Sequence, residues 1–246
     1  MMGKFPKLEF FGILLFIVSL FVVVFTEQAS ATICDFEKSP VEFVFEEWRS
    51  DVTLDHSKSS AEIGQLSMGL GGKDFLEKIN KQADDSKIKL NRFNTEGLTH
   101  GPAGAHVKLS YNEKKVTDKS YCVYIKKAVL GFGFQKMLVY VSRQYAKNSC
   151  RYGVILDHEY EHVKRSNDVL TRFIPPLEKL NDFVKTTPIR NGVDNEAIQQ
   201  NLLDEFLVKI REIVSKFDHE LSVENGKLDT IERYRYETTL CPKSKS

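Results

Sequence analysis

At Ser149 the spacing of apolar residues along the chain changes from a period of two to a helical period, and it mostly stays there. Upstream, "VEFVFEEW" (41–48) and "HVKLSYN" (106–112) alternate, while "SYCVYIKKAV" (120–129) and "KMLVYVSRQY" (136–145) are rich in β-branched and aromatic residues, as strands are. Downstream, one helix is expected from about Ser149 to Phe173, stopped or kinked by Pro175 and Pro176. A second follows in "PLEKLNDFVKTT" (176–187), and the longest runs from Asn195 to about Asn225, where "NG" supplies a stop. Strands first and helices second imply an α+β fold, a small antiparallel or mixed sheet packed on a helical half. Between the strands, "LGFGF" (130–134) suggests a bend or bulge, and "TEGLTHGPAG" (95–104) reads as a loop. "DFLEKINKQADD" (74–85) has the pattern of a short amphipathic helix.

The first 31 residues stand apart from this fold. Lys4 and Lys7 precede an apolar run from Phe10 to Phe25, followed by "ASA" at 29–31, which are the parts of a secretory signal peptide. The run is shorter than the roughly 20 residues a spanning helix needs. Cleavage after Ala31 is expected, leaving 32–246 as a single exported domain, periplasmic or secreted; a retained signal would be its one membrane anchor. Charge is balanced, 35 Lys and Arg against 34 Asp and Glu. Neither nucleic acid nor an anionic membrane surface would find an electrostatic footing.

Export changes the meaning of Cys34, Cys122, Cys150 and Cys241: an even number in an oxidising compartment implies two disulfides. The favoured pairing joins Cys122 to Cys150, a strand to the start of the first long helix, and Cys34 to Cys241, the two ends. The spacing lacks a C-x-x-C pair, which argues against a cysteine zinc site.

"HEYEH" (158–162) carries the chemistry. His158 and His162 lie one turn apart, about 40° from each other around the helix, so two imidazoles can share one metal ion. Glu159 borders an apolar stripe of Tyr152, Leu156, Val163 and Leu170, whereas Glu161 falls on the solvated side. A carboxylate at a core edge needs a compensating partner, and a metal-bound water is one. Catalytic zinc sites take three protein ligands. Asp168 offers a local third ligand, but the helical pattern continues through Arg165 and leaves Asp168 facing water. On the longest helix the stripe Leu203, Phe206, Ile210, Ile213, Phe217 extends to Glu224, about 20° off its centre, with Glu220 at about 60° in reserve. Glu224 is therefore the expected third ligand, and His219 points away.

With these residues the chain resembles zincin-type zinc metallopeptidases, and in particular secreted bacterial families of unknown function that carry one H-E-x-x-H. The match covers "SCRYGVILDHEYEHV" (149–163). The resemblance implies zinc held by His158 and His162, with Glu159 as general acid/base in hydrolysis of a protein or peptide substrate. It also implies an edge strand that holds the substrate extended, for which "KMLVYVSRQY" is available. The metzincin glycine and downstream histidine are missing, as is an N-E-x-x-S-D signature. Arg233, Tyr234 and Tyr236 are available to stabilise an oxyanion. Two other functions fit the same residues: a zinc amidase or peptidase acting on peptidoglycan cross-links, and an exported binding or scaffold protein with a structural or vestigial metal site.

Overall fold

The computed structural model of the chain describes residue 34 and residues 38–72 and 95–242. The signal segment and the expected helix over 74–85 lie outside them. The fold is α+β, two small mixed sheets packed against helices. Strands β1 (Glu42–Arg49) and β2 (Val52–Asp55) lead into helix α1 (Ser60–Ser67). Strands β3 (Gly97–His100), β4 (Ala103–Thr117), β5 (Ser120–Phe134) and β6 (Met137–Val141) precede the long helix α2 (Cys150–Glu178). Helix α3 (Leu180–Thr186), the short strand β7 (Arg190–Gly192), α4 (Asn195–Gly226) and α5 (Ile231–Thr239) complete it.

One sheet is ordered β1-β5-β4, with β7 pairing the start of β5; the other is β2-β6-β3. β1 runs parallel to β5, and β2 parallel to β6, so the β1–β2 segment follows the β5–β6 segment from one sheet into the next. β4 and β5 form a long antiparallel hairpin. Because β5 has partners on both edges, its side chains from Cys122 to Ile125 and from Leu130 to Phe134 are buried. Gly131 and Gly133 do not break it. A Cβ on Gly131 would come within 2.2 Å of the Trp48 ring, and one on Gly133, at φ +138°, within 2.2 Å of the Trp48 carbonyl oxygen. The glycines let β1 lie tight against the strand.

Expectation and structure differ at three places in these elements. The stretch 95–104 is not a loop: β3 pairs antiparallel with β6, Gly97 opposite Val141 and His100 opposite Leu138. Consequently β6 is a central strand, flanked by β2 and β3, and among the described residues the edge strand beside α2 is β3. Pro175 and Pro176 do not end α2 at Phe173. The carbonyls they leave without helical partners belong to the exposed Thr171 and Arg172, which water can serve, while buried Leu177 and Leu180 hold the last turn on the core.

α2 and α4 pack together over the sheets. Phe217 of α4 meets Phe132 of β5 edge-on at 5.1 Å between ring centroids, and Phe173 of α2 at 5.6 Å, which ties both helices to the central strand. The disulfides join Cys34 to Cys122 and Cys150 to Cys241, not Cys122 to Cys150 or Cys34 to Cys241. The topology explains it. The N-terminal segment runs beside β5, where the Ser39 amide donates to the Tyr124 hydroxyl, and the segment after α5 returns to the start of α2. Two disulfides are consistent with an exported protein. No helix among the described residues is long and apolar enough to cross a membrane.

Candidate metal centre

Helix α2 starts at Ser149, whose hydroxyl accepts the Tyr152 amide proton, and runs without interruption through the H-E-x-x-H stretch. His158 and His162 therefore point inward one turn apart, 4% and 8% exposed. Their Nε2 atoms are 3.2 Å from each other. A third donor atom, Asp229 Oδ1, stands 3.3 Å from each of them. Asp229 comes from the turn that joins α4 to α5, held in place because Thr230 caps α5 by accepting the Arg233 amide proton.

These three atoms fit a metal ion. Ligands about 2.0 Å from a tetrahedral ion stand about 3.3 Å apart, which is the edge of the triangle seen here. The outward nitrogens fit equally well. His158 Nδ1 donates to Glu237 Oε1 at 2.9 Å, and His162 Nδ1 to Asn225 Oδ1 at 3.1 Å. With a proton on each Nδ1, both Nε2 lone pairs face inward, the arrangement that outer hydrogen bonds impose on metal-binding histidines. Asp229 also accepts from the Tyr234 hydroxyl, and the Tyr234 ring stacks on His158 at 5.3 Å between centroids. Arg233 bonds Glu237 and approaches Glu161. His158, His162 and Asp229 can thus hold a metal ion.

The electrostatics ask for positive charge. Three carboxylates, Asp229, Glu237 and Glu159, converge on two imidazoles. Burial acts to lower the pKa of His158, but the Asp229 hydrogen bond, the Glu159 charge and Glu237 outweigh it and raise it to about 9. For His162 burial is likewise outweighed, chiefly by Asp229, and the pKa is raised. Burial would raise Asp229, yet hydrogen bonds from His158 and His162 hold its carboxyl well below the usual carboxylate range. Without a metal, protons supply the positive charge that these acids attract.

Glu159 sits on the neighbouring face, 5% exposed, under strand β3. The Thr99 hydroxyl lies 2.8 Å from Glu159 Oε2 and 2.9 Å from its carbonyl oxygen. Gly97 has no side chain because there is no room: a Cβ would lie 2.4 Å from Glu159 Oε1 and 2.7 Å from Ile155 Cγ2. Burial pushes the Glu159 pKa up, against the pull of His162 and His158. Glu161, by contrast, has a side chain 45% exposed.

The fold brings His158, Glu159 and His162 together, but not Glu224 or Glu220. Glu224 pairs with Arg165 at 3.3 Å and with Lys227, and Glu220 pairs with Arg172 at 2.6 Å. Asp168 and His219 are exposed. The end of α4 does reach the motif helix, through Asn225, yet the acid comes from the turn just beyond it. Tyr234 is in the cluster while Tyr236 is 58% exposed. A signal for the missed Asp229 was present in "LDTIERYRYE" (228–237), where a capping Thr before a helix-forming run announces a further short helix. Comparison of the chain with protein-family models, with curated proteins and with solved structures found no match.

Proposed function

We propose that the protein is an exported zinc-dependent peptidase of the zincin type. The observation that supports this most directly is the triangle of His158 Nε2, His162 Nε2 and Asp229 Oδ1, beside a buried glutamate in H-E-x-x-H register. Three protein donors leave a fourth position for water or substrate, and the two-nitrogen, one-oxygen donor set suits zinc. Zinc bound there would act as a Lewis acid and lower the pKa of a bound water towards about 7. Glu159 then takes a proton from the attacking water at its carboxylate and delivers it to the leaving amine. Its raised pKa suits it to both transfers. Thr99 holds that carboxylate in one orientation, and the Tyr234 hydroxyl, bonded to Asp229, is available to a developing oxyanion. Strand β3, an edge strand among the described residues, is the element along which an extended peptide could lie.

The test is zinc content with paired variants. One zinc per chain in the native protein, lost in His158→Ala and kept in Glu159→Gln, with peptide hydrolysis abolished in both, is the expected pattern. Native protein free of zinc sinks the reading, and a Glu159→Gln variant that still hydrolyses protein substrates removes Glu159 from its role.

A second reading has one observation behind it. Asn225, Asp229, Tyr234 and Glu237, all from one C-terminal segment, surround the two histidines, so a metal there would also fasten that segment to α2. In that case the ion is structural, and zinc is retained with no turnover on proteins or on purified cell wall.

A further inference from the structure

The C-terminal segment that completes the metal centre is anchored at its start, where Leu228 and Ile231 on either side of Asp229 are buried, and by a bridge at its end. Helix α5 is strongly polar and buries only Ile231 and Glu237. Its ties to α2 include the bond from Arg151 Nη1 to the Glu237 carbonyl, the Arg233–Glu161 pair, and one covalent link. That link is Cys150–Cys241, which joins the first residue of α2 to the residue after α5. It pins the far end of the segment at a point about 12 Å along the helix axis from His158. The two disulfides are not alike in access: Cys122 is 0% exposed, whereas Cys150 is on the surface.

We infer that the Cys150–Cys241 bridge positions Glu237 in the metal centre, and that its reduction weakens the hold on the metal. The inference rests on the reading of His158, His162 and Asp229 as a metal site. A dithiol reductant supplies the two electrons. One of its thiolates attacks an exposed bridge sulfur and its second thiol closes the reductant's own disulfide. One S–S bond breaks in the protein, one forms in the reductant, and two protons pass to the thiols of Cys150 and Cys241. The end of α5 is then free, Glu237 loses its fixed place, and His158 Nδ1 loses the acceptor that orients it. Loss of a single outer partner weakens metal sites by about 10–100-fold, so displacement of Glu237 weakens this one by at least about tenfold. The Cys34–Cys122 bridge, on the β5 side of the fold and away from the two histidines, has no such effect.

The experiment measures the zinc dissociation constant of the full chain by chelator competition. It uses the native protein, Cys150→Ser/Cys241→Ser, and Cys34→Ser/Cys122→Ser. The expected result is a rise of at least about tenfold in the first double variant and a change within about threefold in the second. Native zinc binding with an unchanged constant in Cys150→Ser/Cys241→Ser overturns the inference and leaves the metal site standing. Native protein that binds no zinc overturns the metal site and the inference with it. If either double variant fails to fold, the oxidised native protein is titrated instead with a water-soluble phosphine, which reduces disulfides without chelating zinc. Zinc release is followed together with mapping of the opened bridge. Zinc leaving in step with the opening of Cys150–Cys241 supports the inference. Zinc retained after that bridge opens, or released only with Cys34–Cys122, overturns it.

Discussion

His158 Nδ1 and Glu237 Oε1 lie 2.9 Å apart across 79 residues of chain. The carboxylate is 4% exposed and also takes the Arg233 guanidinium, so it is neither free to leave nor costly to bury. It fixes which nitrogen of His158 keeps the proton and makes the other a better donor. Glu237→Gln retains an acceptor oxygen but loses the charge, and is expected to weaken zinc binding by about tenfold, whereas Glu237→Ala weakens it by up to about 100-fold. Chelator competition on the two variants checks the order.

Asp229 and Glu224 are separated by a short turn and have opposite expected phenotypes. Asp229→Ala removes an oxygen from the donor triangle and leaves two histidines, so stoichiometric zinc is lost on dialysis. Glu224→Gln breaks ion pairs with Arg165 and Lys227 that do not touch the three donor atoms. It leaves zinc content and the urea midpoint essentially unchanged. Elemental analysis and urea unfolding of both variants decide between the two acids.

Gly97→Ala puts a methyl group where Glu159 Oε1 and Ile155 Cγ2 already are. Either β3 moves off α2 or the carboxylate turns away from Thr99. Stability falls by about 1–3 kcal/mol as for other overpacked sites, and hydrolysis is lost while zinc stays, because the strand touches none of the three donor atoms. A variant with full activity contradicts the fixed placement of Glu159.

Metal and protons compete for the same atoms. His158, normally near 6.5, is raised to about 9 in the metal-free protein, so between these values zinc must displace a proton. Apparent zinc affinity therefore rises with pH by at least about tenfold per unit up to about pH 9. In the metal-free protein the raised histidine contributes stability that is fully present below about 6.5 and is lost as pH rises through about 9. Zinc-loaded protein lacks that loss. The gap in Tm between loaded and metal-free protein is expected to widen from pH 6.5 to pH 9, measured by thermal unfolding in parallel.

The parts of this molecule that rest on short-range pattern were legible in the sequence. The 3.6 period marks α2 and α4, and the faces it gives α2 already separate Glu159 from Glu161. What the pattern missed was decided by long-range packing. Gly97 and Thr99 look like loop residues, yet the glycine is there so that a strand can approach Glu159. The prolines look like a stop, yet Leu177 and Leu180 are buried and keep the turn. Asp229 belongs to no apolar stripe at all, so no helical-wheel argument could reach it. The disulfide pairing failed for the same reason: separation along the chain says little about which segments the topology lays side by side.

The placement of the third donor has a consequence in time. His158 leaves the ribosome 71 residues before Asp229, an interval of roughly 4–14 seconds at about 5–20 residues per second. Throughout it the nascent chain displays a histidine pair with no carboxylate to complete it, and so has only weak means of capturing an ion prematurely. A metal held by all three donors would therefore be acquired late, after α5 has been synthesised and has docked.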